Sequence, residues 1–330
     1  MSKMLDLIRK LPDEILEAVE YRIPEFEDVH NIVFGGMGGS GISGDLVSSI
    51  FIDAKIPMVS VHDYSLPGFV GRDSLVVVTS YSGNTEEALS VYKQAKELGA
   101  KTLVISSDGK LLKHAENDGV PFVKIPQGYP PRTALGWLFV PSFLTVAGIV
   151  GENTDVLREE LKRVATFLKS LQKEFEDPDS IAHDLANKFY LRIPVIYSSS
   201  KLFPAIYRWK TQINENAKAF AHVSKLPEMD HNEITGLINP DDLVDYLWIV
   251  FVKDRDDNDR IKLRVKETED LIKDSVMGTT IVEPEGESFL ERVFYVIYLG
   301  DYISYFLSVN YNVDPVSIPR IDELKRRLSK

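Results

Sequence analysis

Short apolar runs alternate with amphipathic stretches through the first half of the chain. Asn31–Phe34, Pro57–His62, Ser74–Thr79, Thr102–Ser106 and Phe122–Ile125 each have the apolar character of a buried strand. Helices are predicted over Gly44–Ile52 and Glu86–Leu98. Met1–Ile23 reads as one amphipathic helix, because Asp6, Lys10, Asp13, Glu14 and Glu17 interrupt its apolar positions. Strands separated by helices in this way predict a parallel sheet covered on both faces. The pattern restarts at Ile193–Tyr197 and continues with a helix from about Pro204 to Phe220. Strands follow at Leu247–Val252, Lys262–Val265 and Thr280–Val282, then helices over Phe289–Val309 and Ile321–Leu328. Between the halves, Thr154–Ala186 is charged and helix-rich, with a break at Asp177-Pro178-Asp179. The expected organisation is a first lobe over residues 1–153, a helical connection over 154–186 and a second lobe over 187–330.

Two turns between strand and helix carry chemistry. Gly36-Met37-Gly38-Gly39-Ser40-Gly41 follows the first strand and opens a helix. Its glycines let the backbone approach a ligand, and free N–H groups at a helix N-terminus attract an anion. The segment also fits the dinucleotide fingerprint G-x-G-x-x-G, with Asp63 placed where a ribose-binding acid would stand. A nucleotide-dependent dehydrogenase is therefore a rival reading. The second turn, Ser80-Tyr81-Ser82-Gly83-Asn84-Thr85, argues for a phosphate monoester instead. Three hydroxyls where a strand turns into a helix can satisfy terminal phosphate oxygens without a cation, whereas a dinucleotide needs no second loop of this kind.

Composition narrows the partners. The net charge of −12 disfavours nucleic-acid and membrane-surface roles, which need a basic footprint. The 330 residues contain no cysteine, which removes disulfides, thiolate metal sites and cysteine nucleophiles and fits a cytoplasmic protein. The charged N-terminal segment does not read as a signal peptide. The longest apolar stretch, Leu138–Val150, is too short to span a bilayer.

At Gly38-Gly39-Ser40-Gly41 and Ser80-Tyr81-Ser82-Gly83-Asn84-Thr85 the chain resembles the sugar isomerase, or SIS, family. The resemblance implies two doubly wound parallel-sheet subdomains of flavodoxin-like αβα sandwich type. It also implies that Gly39, Ser40, Ser80, Ser82 and Thr85 hold the phosphate of a sugar phosphate.

Aldose–ketose isomerisation needs ring opening, a base that moves a proton between C1 and C2, and stabilisation of the enediolate. The segment Ala205–His231 supplies candidates. Ile206, Trp209, Ile213, Ala217 and Phe220 form an apolar helical stripe, with Arg208, Thr211, Gln212 and Glu215 on the opposite, polar face. On spacing alone, Glu215 reads as a solvated helix residue near Lys218, and His222 competes equally with His231.

Pro131-Arg132-Thr133-Ala134, Asn214-Glu215-Asn216-Ala217-Lys218, Asp230-His231-Asn232-Glu233 and Ile321-Asp322-Glu323-Leu324-Lys325 are together similar to segments of the bifunctional phosphoglucose/phosphomannose isomerases. The resemblance spans nearly the whole chain. It implies that Glu215 moves the proton through a cis-enediol and that Arg132 stabilises the enediolate. It assigns ring opening to His231 and Lys325, with His231 supplied by the neighbouring subunit of a homodimer. Hexose 6-phosphates are the implied substrates, with no cofactor and no metal. One departure is that Asp314-Pro315-Val316-Ser317-Ile318-Pro319 lacks the threonine that the family links to mannose 6-phosphate; Ser317 is the hydroxyl available there. A non-catalytic sugar-phosphate regulator is the alternative, although Met1–His30 is too short and acidic for a helix-turn-helix module. A glutamine-dependent amidotransferase is disfavoured by the absent cysteine.

Overall fold

The computed structural model describes residues 3–328, which divide into two compact units. One comprises Arg9–Lys169, and the other joins residues 3–8 to residues 170–328.

The first unit is built on β1 (Asn31–Gly35), β2 (Met58–Val61), β3 (Ser74–Thr79), β4 (Lys101–Ser106) and β5 (Phe122–Lys124). All are parallel, in the order β2-β1-β3-β4-β5. That is the flavodoxin-like order and not the 3-2-1-4-5-6 order of dinucleotide-binding domains. β3 is buried along its whole length, which explains its unbroken apolar sequence. Val33, Val76, Val78 and Val104 point to one face. There they pack on Ala88, Val91, Tyr92 and Ala95 of α4 (Glu86–Glu97) and on Leu111 and Ala115 of α5 (Gly109–Asp118). α3 (Gly38–Ile50) covers Phe34 on the other face and packs against α6 (Leu135–Ile149), an apolar helix buried on nearly every side.

The N-terminal segment forms two helices, α1 (Lys3–Arg9) and α2 (Leu11–Ala18), rather than one. Pro12 sits in the first turn of α2, where its missing N–H costs nothing and where a continuing helix would be interrupted. α3 begins at Gly38, well before the expected Gly44, so the glycines form its first turn rather than a loop. Low glycine propensity is overridden here by packing.

The helical stretch after the first sheet contains α7 (Thr154–Phe175) and α8 (Ile181–Phe189), capped by Ser180, whose hydroxyl accepts from the His183 N–H. The division between the units falls within α7. The second sheet comprises β6 (Ile193–Ser199), β7 (His222–Leu226), β8 (Leu247–Val252) and β9 (Gly278–Val282), all parallel, in the order β7-β6-β8-β9. Its helices are α9 (Phe203–Gln212), the single turns α10 (Glu233–Gly236) and α11 (Asp241–Val244), then α12 (Asp259–Ile272), α13 (Phe289–Asn310) and α14 (Pro319–Leu328). Lys262–Val265, expected as a strand, lies inside α12. Val265, Thr268 and Ile272 are its buried residues, at helical spacing, and Asn258 caps its start. β7 escapes the apolar pattern because it is an edge strand of mixed exposure.

Candidate active site

In the first sheet the chain runs from β1 to β2 on one side, then crosses to β3 on the other. The carboxyl ends of β1 and β3 therefore flank the switch point, where ligands of open α/β sheets bind. Both hydroxyl-bearing turns emerge there. Ser40 and Ser80 are buried, Thr85 is half-buried and Ser82 is exposed. The two turns are stitched together: Ser40 Oγ accepts from the Tyr81 N–H at 3.0 Å, and Thr79 Oγ1 donates to the Ser40 carbonyl at 3.0 Å. Ser80 Oγ accepts from the Gly83 N–H at 3.2 Å and donates to Thr85 Oγ1 at 3.0 Å. Thr85 stands at the N-cap position of α4 yet makes no capping bond, and α3 also begins without a side-chain cap. Two helix N-termini and a chain of hydroxyls thus face the place where an anion is expected.

Arg132 joins this group. It lies in a 3₁₀ turn, Pro131–Thr133, and is 4% exposed. Gly39 is what permits the approach, because a Cβ there would fall 2.8 Å from the Arg132 N and Cα. Gly39, Ser40, Ser80, Ser82, Thr85 and Arg132 accordingly come together within the first unit.

Glu215, His231 and Lys325 belong to the second unit. α9 does not run on to Phe220 as expected. It passes into a π-helical turn, Ile213–Ala217, and Lys218 ends it in the left-handed region at φ 56°. Phe220, assigned to the apolar stripe, is 69% exposed beyond the helix. Arg208 and Gln212, assigned to the polar face, are buried. Arg208 Nη2 and Gln212 Nε2 donate to the two oxygens of Asp301 on α13 at 2.8 and 2.7 Å, while Asn216 Nδ2 donates to Ser304 Oγ at 3.0 Å. A buried polar network on the far helix was invisible to periodicity. It grips the turn that carries Glu215, and π-turns of this kind recur at functional sites.

Glu215 is half-buried and lines a cavity of about 560 Å³ with Asn214, Lys218, Phe220, Ile318 and Arg320. Lys218 Nζ donates to the carbonyl oxygens of Glu215 and Asn216 at 2.8 and 3.3 Å and to that of Asp314. Lys218 and Arg320 are cations at this cavity that the sequence reading did not assign. The left-handed backbone at Lys218 left no mark in a helical pattern. α14 reaches the cavity through Pro319, Arg320 and Ile321, and Lys325 lies one turn further along its surface. Lys325 is exposed and has no side-chain partner among the described residues.

The structure separates the two histidines that spacing left level. His222 Nε2 lies 2.9 Å from Glu233 Oε2, which also accepts from the Tyr197 hydroxyl at 3.2 Å. Burial, with Glu233 beside it, pushes the Tyr197 phenol above its ordinary range. His231 ends a short 3₁₀ turn, Glu228–His231. Its neighbour Asp230 is held by Arg264 and Thr268, but the His231 ring is exposed and has no partner among the described residues. His231 does not line the cavity of Glu215. Ser317 is exposed beside Asp314, whose carboxyl is held below its usual range chiefly by the Val316 N–H, with Ser317 adding to the effect.

Residues 25–116 match the family described as the SIS domain, and residues 178–328 that described as the bacterial phospho-glucose isomerase C-terminal SIS domain. A Caldicellulosiruptor bescii protein named bifunctional phosphoglucose/phosphomannose isomerase is 37% identical over 336 residues, covering 99% of both chains. An Aquifex aeolicus protein of the same name is 37% identical over 329 residues, covering 96% of this chain and 99% of its own. Among solved structures, the C-terminal domain of glucosamine-fructose-6-phosphate aminotransferase from Francisella tularensis is similar with a TM-score of 0.74. It is 17% identical and covers 96% of this chain and 97% of that one, a likeness of fold.

Proposed function

The chain belongs to the family of bifunctional phosphoglucose/phosphomannose isomerases, and from that premise we propose how its residues interconvert glucose 6-phosphate and mannose 6-phosphate with fructose 6-phosphate. The observation that most supports the binding half is the convergence of Ser40, Ser80 and Thr85 with two uncapped helix starts at the switch point of the first sheet. In this reading Gly39, Ser40, Ser80, Ser82 and Thr85 hold the 6-phosphate. Neutral hydroxyls and main-chain N–H groups suit an anion in a protein whose net charge is −12.

Glu215 is the proposed base. It takes the C2 proton of the open-chain aldose as the C1 carbonyl oxygen gains negative charge; the C2 hydroxyl proton then passes to O1, and return of the carbon-bound proton to C1 leaves C2 as the ketone carbonyl. Arg132 is the proposed partner of that enediolate, a fixed cation needing little reorganisation. Glucose and mannose 6-phosphates differ at C2 alone, and both lose that difference in one cis-enediol. Ring opening falls to His231 and Lys325. The unpartnered His231 ring supports its choice over His222, and its absence from the Glu215 cavity fits delivery by a second copy in a homodimer. The expected setting is cytoplasmic. Among the described residues no helix is long and apolar enough to cross a membrane.

The test is a coupled assay of fructose 6-phosphate conversion in EDTA with no nucleotide added, following glucose and mannose 6-phosphates separately. Both products are expected, with mannose 6-phosphate the slower because Ser317 stands in the segment where the family carries threonine. Tight binding without turnover would favour the regulator instead. A strict metal or nucleotide requirement would exclude the mechanism as written.

A further inference from the structure

Behind the first glycine turn lies a charged group that the isomerisation does not use. His62 follows β2, and both of its ring nitrogens meet acceptors. Nδ1 is 2.8 Å from the Gly36 carbonyl oxygen, and Nε2 is 3.0 and 3.1 Å from the two oxygens of Asp45 on α3. A carbonyl can only accept, and so can an ionised carboxylate. A neutral imidazole carries one N–H and can serve just one of them, whereas an imidazolium serves both. The ring lies against the turn, since a Cβ on Gly41 would come within 2.9 Å of His62 Cε1, and its outer side is open to solvent, the side chain being 43% exposed.

We propose that His62 is a positioning residue for phosphate binding, its imidazolium locking the Gly36 carbonyl and thereby setting the first turn for the anion. This rests on the reading of Gly39 and Ser40 as phosphate ligands. In a trans peptide the C=O and N–H point in opposite directions, so drawing the Gly36 carbonyl to the ring aims the Met37 N–H away from it. The same charge-assisted bond polarises that peptide, although Asp45 balances the ring's charge, so the effect on the turn is one of position and local polarity.

The protonation follows from the surroundings. Its hydrogen bond to Asp45 leads, and with the Gly36 carbonyl it outweighs partial burial, raising the ring from 6.5 to about 9. Asp45 is the charged group facing it from α3, and β1 contributes only the neutral carbonyl. On its own segment, Asp63 accepts from the Tyr64 N–H, and the Tyr64 hydroxyl turns to Glu86 at 3.5 Å. Because the folded value is raised, the stabilisation is complete below 6.5 and is lost as pH rises through about 9. A phosphate monoester is already a dianion above about pH 6, so the ligand's charge is constant in that window.

The probe is sorbitol 6-phosphate, which cannot isomerise, bound to the full chain and followed by calorimetry. Wild-type affinity is expected to fall roughly tenfold as pH rises from about 8 to 10. Asp45→Asn is expected to move that fall to lower pH. His62→Gln is expected to bind about tenfold more weakly at about pH 8 and to lose the pH dependence, with KM changed more than kcat. Unchanged affinity in His62→Gln, or wild-type binding flat across the range, overturns the proposal. If His62→Gln does not fold, the Asp45→Asn shift decides, together with imidazole NMR of the ligand-free protein, where a neutral ring at about pH 7.5 is the overturning result. Wild-type protein that binds no sorbitol 6-phosphate at all would instead bring down the phosphate-site reading itself.

Discussion

The two sheets share one strand plan but treat the same point in it oppositely. β7-β6-β8-β9 repeats the order of β2-β1-β3-β4, so β8 and its turn into α12 correspond to β3 and its turn into α4. The turns are equal in length, residues 80–85 and 253–258. The first reads Ser-Tyr-Ser-Gly-Asn-Thr and the second Lys-Asp-Arg-Asp-Asp-Asn. In the second, Asp254 is 2% exposed and receives Arg292 of α13 through Nε at 2.7 Å and Nη2 at 3.2 Å; Asp256 takes the guanidinium as well. Burial opposes the charge on Arg292, and Asp254 more than restores it. Burial also pushes the Asp257 carboxyl up. Asp254 and Asp256 share the Arg292 guanidinium and Asp257 lies beside them, an acidic turn that disfavours a phosphate. At the same point of a shared strand order, the first sheet thus carries the turn proposed to hold the phosphate and the second a turn plugged by Arg292, while the proposed base stands on the π-turn at Glu215.

The sharpest way to break this division is Glu215→Gln. Turnover should fall by about 10²–10⁴-fold, the range for a positioned general base, while sorbitol 6-phosphate binding stays near wild type. Joint loss of both would mean that binding and proton transfer are not divided between the units. The plug is tested next by Arg292→Met, which strands Asp254 as an unpaired buried charge. A loss of about 3–5 kcal/mol is expected in urea unfolding, with KM for fructose 6-phosphate little changed in the folded protein. A large rise in KM without loss of stability would show that this turn handles ligand after all.

Much of this contrast was legible beforehand. Parallel strands such as Ser74–Thr79 and Leu247–Val252 announce themselves because burial on both faces demands unbroken apolar residues. The hydroxyl turn was visible because the three hydroxyls that carry its chemistry fall within six consecutive residues. The plug was not, since Asp254 and Arg292 are brought together only by tertiary packing. Arg208 and Gln212 were misread as a polar surface for the same reason: periodicity separates polar from apolar faces and cannot see Asp301 across the gap on α13. α12 was partly misread as strand because Lys262–Val265 is too short a window to tell a strand from one turn of helix. Glu215, His231 and Lys325 gave no signal by spacing, and resemblance alone singled them out.

A smaller effect isolates the geometry of the cradle. In Gly39→Ala, the new Cβ must displace the backbone of Arg132, which cannot rotate aside as a flexible side chain would. The expected cost is about 1–3 kcal/mol of stability together with weaker phosphate binding, read by thermal unfolding with and without sorbitol 6-phosphate. A variant of full stability that binds normally would show that the turn and Arg132 are not held in mutual register.

The finest test compares one hydroxyl from each sheet. Ser80 follows β3 and Ser199 ends β6, both at carboxyl ends and both nearly inaccessible, at 1% and 7%. Truncating either removes one buried oxygen, so a difference between them reports the role of the hydroxyl in its turn, including the bonds of Ser80 to Gly83 and Thr85, rather than burial. Ser80→Ala should raise KM for fructose 6-phosphate by about 5–10-fold, the worth of one ordinary hydrogen bond, because the hydroxyl braces Thr85 and Gly83 in the turn proposed to hold the anion. Ser199→Ala should leave KM within about twofold, since its neighbourhood is the acidic turn closed by Arg292. Equal effects at the two positions would mean that the second switch point still senses the substrate, and the division of labour between the sheets would have to be redrawn.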